Sequence, residues 1–173
     1  MRTARVRLEI AAQNLANAST DGFRKSVARV TLSAGGLLTR SIASNEQGAL
    51  RHTGRALDLA IVGEGAFVVG GKPTRDGAFV RDAQGFLTDD RGARVQGAHG
   101  FVRVTPEGKL LDRIPLPYRS SIVSGALESP NVNAIGEMVD VLDAQRAFET
   151  AQKALGAIDE TRAKAVNELA RLR

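Results

Sequence analysis

The chain has 173 residues, 43% of them hydrophobic and 25% charged, with a net charge of +5, values typical of a globular protein. The absence of cysteine excludes disulfides and thiolate metal sites, and two histidines nearly exclude a histidine-based zinc site. Aromatic residues make up only 4%, and the basic residues form no cluster, so we expect no nucleic-acid binding.

The first predicted element is a helix over residues 1–18, because apolar residues recur there at alternating spacings of three and four. This is the a/d seam of a heptad repeat. Its positions are Met1, Ala4, Leu8, Ala11, Leu15 and Ala18. The short polar side chains that follow, with Gly22, end the helix. Because Glu9 and Gln13 interrupt the apolar run that a cleaved signal peptide needs, we expect no such peptide.

The centre of the chain predicts a mostly antiparallel β domain over residues 48–118. Short runs of β-type residues alternate there with glycine-bearing turns, as in the strand 57–62 and the strand 66–69. Residues 101–105 are expected to pair with residues 109–114.

A second and longer helix is predicted from residue 133 onward. Its seam residues are Val141, Ala144, Phe148, Ala151, Leu155, Ile158, Arg162, Ala165, Leu169 and Leu172. From Ile135 to Leu172 such a helix would be about 57 Å long, more than a β domain of this size covers. Part of its seam must therefore find another partner. Its acidic start, with Asp140 and Asp143, is expected to lie beside the basic first helix.

The fold class that follows is α+β, with N- and C-terminal helices forming a coiled-coil-like unit and the β domain inserted between them. The expected division is 1–47 for the first helix and a connecting segment, 48–118 for the β domain, and 119–173 for a connection and the last helix. The seam residues expected to carry packing and assembly are Leu8, Leu15, Val141, Phe148, Leu155 and Ile158.

No motif indicates catalysis or a cofactor. Gly63-Glu64-Gly65 lacks the third glycine and the helix of a phosphate-binding loop. The aspartates at positions 82, 89 and 90 lack the spacing of a calcium loop, and we expect them to form turns. His52 and His99 have no triad-like neighbours. We therefore expect a protein that is not an enzyme and that has no cofactor and no small-molecule substrate.

Four ordered stretches resemble the flagellar axial proteins, the family of rod, hook and hook-associated subunits. They are residues 14–24, 57–69, 74–87 and 128–149. The signature residues in the two terminal stretches are Asn14, Leu15, Asn17, Gly22, Phe23, Asn131, Val132, Asn133, Gln145 and Arg146. The chain departs from the family pattern at Ala66 and Pro130, and its middle is much shorter. Within the family, the motifs resemble those of the FlgF- and FlgG-like basal-body rod proteins.

The resemblance implies a structural subunit of the bacterial flagellar basal-body rod, which spans the periplasm. It implies export through the flagellar type III apparatus without a cleaved signal peptide, then polymerisation through the terminal helices. The implied partners are further copies of the chain, other rod or hook subunits and the export apparatus. The alternative that the residues leave open is a non-enzymatic interaction module with a β domain and coiled-coil termini.

Overall fold

A computed structural model describes residues 2–33 and 36–171. Two helices and twelve short strands make the described part an α+β fold. In chain order they are α1 (Arg2–Ala16), β1 (Ser26–Ser33), β2 (Gly36–Ala43), β3 (Leu50–His52), β4 (Leu59–Val62), β5 (Phe67–Val69), β6 (Lys72–Thr74), β7 (Val80–Arg81), β8 (Leu87–Thr88), β9 (Gln96–Gly97), β10 (Gly100–Phe101), β11 (Ser121–Ser124), β12 (Ala126–Glu128) and α2 (Ala134–Arg171). Every strand pair is antiparallel.

The chain divides into two compact units. The helical unit comprises the described residues of 1–16, 26–43 and 133–173, and the β unit comprises residues 17–25 and 44–132. The helical unit therefore contains the two terminal helices and the long β1–β2 hairpin. The β unit contains the remaining strands together with the segment that follows α1.

The β1–β2 hairpin lies within a segment that the sequence pattern indicated only as a connection. Its strands pair over their whole length, from Ser26 opposite Ala43 to Ser33 opposite Gly36. The later connection also contains strands, because β11 pairs with β4 and β12 pairs with β3. Both pairings join segments that are far apart in sequence, and no local turn signal marks such pairings.

A single apolar core holds the β unit together. Its buried residues are Leu59, Ile61, Phe67, Val69, Phe79, Leu87, Val95, Val102, Val104 and Ile114. Two aromatic rings lie at its centre: Phe67 and Phe79 meet edge to face, with centroids 5.1 Å apart, an arrangement that adds to the stabilisation from burial alone. The predicted strand in 57–62 is confirmed as β4. The predicted pairing across Pro106 is confirmed next to the turn by the bridge between Val104 and Leu110, whereas Phe101 pairs instead with Gln96 of β9.

Three turns of the β unit share one pattern, at residues 82–86, 89–93 and 105–109. In the first, the carboxylate of Asp82 accepts the backbone N–H of Phe86 at 2.7 Å, and the N–H of Gly85 donates to the Asp82 carbonyl at 3.1 Å. A glycine with positive φ occupies the fourth position of each turn, a conformation that other residues adopt only with strain. The turn role predicted for the aspartates at positions 82 and 89 is confirmed.

The carboxyl group of Asp82 has a pKa below its usual value. Desolvation alone would raise this pKa, but the N–H of Phe86 and the guanidinium of Arg94 outweigh it by stabilising the charged form. Arg94 also lies over the ring of Phe86, with 4.2 Å between the guanidinium carbon and the ring centroid. These contacts give the Asp82 turn a structural role.

Candidate assembly surface

The surface with the strongest claim to function belongs to the helical unit, where α1 packs along α2 and against the β1–β2 hairpin. The buried side chain of Asn14 joins the three elements. Its Nδ2 donates to the carbonyl of Ser26 at 2.9 Å and to Oε2 of Glu137 at 3.1 Å, and its Oδ1 accepts the N–H of Ser26 at 2.8 Å. Since Asn14 is near the end of α1 and Glu137 near the start of α2, the two helices run antiparallel.

The two helices differ greatly in length. Helix α1 has 15 residues and α2 has 38, which correspond to about 22 Å and about 57 Å at 1.5 Å per residue. The C-terminal end of α1 lies beside Glu137, near the start of α2, so the shorter helix covers only the first part of α2. The later part of α2 extends beyond the N-terminal end of α1.

The exposure of the six predicted packing residues reflects this difference in length between the two helices. Leu8, Leu15, Val141 and Phe148 are half-buried, whereas Leu155 is 45% and Ile158 is 48% exposed. Ala144, between Val141 and Phe148 on the same stripe, is buried. We call the residues Val141, Ala144, Phe148, Ala151, Leu155 and Ile158 the apolar stripe of α2. The stripe is covered at its start and open at Leu155 and Ile158.

Parts of the predicted seams cannot be placed. Met1 and Leu172 lie outside the described residues, as do the side chains of Ala165 and Leu169. In α1, Ile10 is buried although it is not a seam position, because this helix packs on the hairpin as well as on α2.

The expected charge pairing between the helices does not form in this fold. Within the described residues, the guanidinium of Arg5 pairs with Glu9 one turn along the same helix, with 2.9 Å between Nε and Oε1. Asp140 and Asp143 are exposed and form no ion pair with any side chain that the structure describes, a set that does not include the side chain of Arg2. Helices α1 and α2 do pack together, but the predicted pairing of these aspartates with Arg5 or Arg7 is wrong.

A second apolar surface on α2 was not predicted. Ile135, Met138, Val139 and Leu142 are each more than half exposed and lie on the side of α2 away from the apolar stripe. Their spacings of three and four are the signal that could have revealed them. The heptad pattern that begins at Val141 is longer and gave the stronger signal, so this shorter pattern was not recognised from the sequence.

The signature asparagines occupy the points where the chain changes structure. Asn133 caps α2, because its Oδ1 accepts the N–H groups of Ile135 and Gly136 at 3.2 and 3.3 Å. Within the β unit, Asn131 accepts the N–H of Lys25 at 2.6 Å and donates to the carbonyl of Glu46 at 2.8 Å.

The remaining signature residues have different environments. The backbone carbonyl of Asn17 accepts the N–H of Thr20 at 3.0 Å in the turn that follows α1. Phe23 and Val132 are half-buried, whereas Gln145 and Arg146 are exposed on α2. The backbone of Gly22 has a φ of 71°, and a Cβ there would lie 2.2 Å from the backbone nitrogen of Asp76, so only glycine fits.

A buried carboxylate in the β unit was also missed from sequence. Glu128 is 1% exposed, and its two oxygens accept from three groups: Nη1 of Arg75 at 2.9 Å, Nε of Arg24 at 3.3 Å and the N–H of Gly48 at 3.2 Å. The carbonyl of Glu128 accepts the N–H of Gly22 at 2.6 Å. One residue of β12 thus links the segment after α1 to the rest of the β unit.

Arg75 extends this network to the loop after β4. Its guanidinium donates to the backbone carbonyls of Ile61, Gly63 and Gly65 as well as to Glu128. Burial lowers the pKa of Arg75, and the charge of Glu128 acts in the opposite direction. The network satisfies both charges with hydrogen bonds, as buried ions require, and its role is structural.

The described part of the chain has few features of other functional classes. Across residues 2–33 and 36–171, no three potential ligand side chains come close enough together to hold a metal ion. Neither helix, as far as it is described, combines the length and apolar character needed to cross a bilayer.

Known proteins match the chain at both ends and over most of its length. Residues 1–24 match the family described as "Flagella basal body rod protein", and residues 123–169 match "Flagellar basal body rod FlgEFG protein C-terminal". The flagellar basal-body rod protein FlgF of Caulobacter vibrioides is 29% identical over 231 aligned positions, which cover 98% of this chain and 94% of that protein. FlgF of Mesorhizobium japonicum is 29% identical, with 83% of each chain covered. The hook protein FlgE of Rhizobium meliloti is 35% identical over 58% of this chain and 29% of its own length.

Proposed function

Because the chain belongs to the flagellar basal-body rod protein family, we propose that it is a rod subunit that polymerises through its terminal helices after export by the flagellar type III apparatus. It is a structural protein of the bacterial flagellum and its basal body. The partners proposed for it are further copies of itself and other rod or hook subunits. In the polymer, α1 and α2 would pack as a coiled-coil-like pair.

The observation that carries the proposal is the open end of the apolar stripe of α2. Leu155 and Ile158 continue the line of Val141, Ala144 and Phe148, but the first helix does not reach them. Burying one such side chain contributes about 1.5–3 kcal/mol. Repeated at every copy of a contact, this contribution favours assembly over the isolated chain.

Sedimentation velocity at increasing protein concentration tests the proposal. We expect the parent chain to form large assemblies, and the variant Leu155→Ala with Ile158→Ala to need at least about tenfold more protein for the same degree of assembly, since 1.4 kcal/mol corresponds to a factor of ten. Gln152→Ala, an exposed polar position on the same helix, is the matched control and should assemble like the parent.

The outcomes separate the two functions considered. Open-ended growth that depends on Leu155 and Ile158 supports the rod subunit. A parent chain that stops at a small complex of fixed size contradicts polymerisation and favours the interaction module. Equal assembly by the parent and the double variant would remove the open stripe from the contact.

A further inference from the structure

The outward face of the β1–β2 hairpin carries two like charges directly opposite each other. Arg29 of β1 pairs in register with Arg40 of β2, and Val27 pairs with Ile42 beside them. The 18 residues of 26–43 contain no Asp or Glu. Like charges at directly opposed positions of a sheet repel, so this face is stabilised when an anionic surface covers it.

The orientation of this face follows from one contact. The hydroxyl of Thr39 donates to the hydroxyl of Thr3 at 3.3 Å, so the side chain of Thr39 faces α1. Successive side chains of a strand point to opposite faces, and Arg40 therefore points away from α1, as does its partner Arg29. Both arginines are exposed and form no ion pair with the side chains that the structure describes.

The first half of α2 carries the complementary surface. Asp140 and Asp143, three residues apart on one side of the helix, are exposed and unpaired within the described residues. Apolar side chains lie next to them: Val139 is four residues before Asp143, and Ile135 is one turn earlier. Each surface therefore combines two like charges with exposed aliphatic side chains, and the charges of the two surfaces are opposite.

We propose that the arginine face of the hairpin in one copy of the chain binds the Asp140–Asp143 face of α2 in a second copy. Within one copy both surfaces belong to the helical unit, and both remain exposed there. The two surfaces are different, so the contact is heterologous: each copy that joins leaves one free surface of each kind. Such a contact generates a ring or an open helical polymer rather than a closed dimer.

This contact rests on the proposed polymerisation and identifies one of the interfaces that would build it. The paired apolar surfaces favour a protein partner over DNA or a lipid headgroup, because Val27 and Ile42 add an aliphatic contact that a phosphate does not use. The charges act at short range, and the contact weakens as ionic strength rises toward 1 M, where the Debye length is about 3 Å.

Charge reversal on each surface tests the contact. Arg29→Glu with Arg40→Glu, and separately Asp140→Lys with Asp143→Lys, should each weaken assembly about tenfold or more at low salt, because each places like charges together. All four substitutions in one chain exchange the signs of both surfaces and should restore assembly. Arg113→Glu with Arg119→Glu changes the net charge equally on exposed residues of the β unit and should have little effect.

Mixing the two reversal variants is the decisive measurement. Each variant keeps one intact surface, and the intact surfaces of the two variants are complementary. The two reversed surfaces, an acidic hairpin and a basic α2 face, are complementary in charge as well. We therefore expect each variant to stay dissociated on its own and an equimolar mixture to recover assembly as alternating copies, measured by sedimentation.

The outcomes are distinguishable. Reversal variants that assemble like the parent overturn this contact and leave the proposed rod function standing. A parent chain that stays monomeric overturns both. A mixture that does not recover assembly overturns the contact. Binding of duplex DNA or of phosphatidylglycerol vesicles by the parent chain, lost on reversing Arg29 and Arg40, would then identify another anionic partner for the hairpin face.

Discussion

The β unit and the helical unit use apolar residues in opposite ways. In the β unit, the large apolar side chains gather in one core around Phe67, and the buried charges of Glu128 and Arg75 satisfy each other. In the helical unit, aliphatic residues such as Leu155, Ile158 and Ile135 remain exposed along α2. The β unit thus has a closed core within one chain, whereas α2 presents a line of exposed apolar side chains that a partner could bury.

This contrast teaches how one chain separates stability from assembly. A closed core stabilises the β unit without a partner. Under the proposed function, the open surface of α2 carries the assembly contacts. We therefore expect loss of core side chains in the β unit to lower the free energy of unfolding, and loss of the exposed apolar side chains Leu155 and Ile158 of α2 to weaken assembly with little effect on that free energy.

The largest effect is expected from removing an aromatic side chain from the closed core. Phe67→Ala should lower the free energy of unfolding by about 3–5 kcal/mol, because it leaves a cavity beside Phe79. Leu155→Ala should change it by less than about 0.5 kcal/mol in the monomer, since that side chain is half exposed and unpacked. Urea unfolding of monomeric protein measures both. Equal losses for the two variants would contradict the division into closed and open regions.

Breaking the buried ion pair comes next. Glu128→Gln leaves the guanidinium of Arg75 buried without its counter-charge, and we expect the β unit to lose about 3 kcal/mol. Thermal unfolding measures the loss. Glu64→Gln, on an exposed residue of the same unit, is the matched control and should be neutral. A Glu128 variant as stable as this control would show that the network does not hold the segment after α1.

A pair of glycines gives the smallest and most selective comparison. A Cβ at Gly77 would lie 1.6 Å from the carbonyl oxygen of Leu59, so Gly77→Ala must shift the backbone of β4 and should destabilise the β unit by about 1–3 kcal/mol. A Cβ at Gly156 meets nothing within 4 Å, so Gly156→Ala should stabilise α2 by about 1 kcal/mol.

Hydrogen exchange resolved along the chain measures both glycine effects. Protection should fall in the β unit for the first variant and rise in α2 for the second. Increased protection of the β unit in the Gly77 variant would mean that β4 accommodates the methyl group.

The sequence by itself determined the features whose cause is local. The apolar spacing of residues 141–158 predicted α2, because one helical turn brings such residues onto one side. The aspartate-glycine turns at 82–86 and 89–93 were predictable because a side chain and a positive φ suffice to form them. The length of α2 also predicted that part of its seam lies beyond the elements it packs on, and Leu155 and Ile158 are about half exposed.

Only the tertiary structure decided the features that depend on distant partners. The charge of Glu128 is buried because Arg75, 53 residues away in sequence, meets it, and no local pattern records that pairing. Arg29 and Arg40 face each other because of the register of the hairpin, and Asp140 stays unpaired because of how α1 lies on α2. Burial, pairing and exposure are properties of the folded neighbourhood, since they depend on which distant segments pack together.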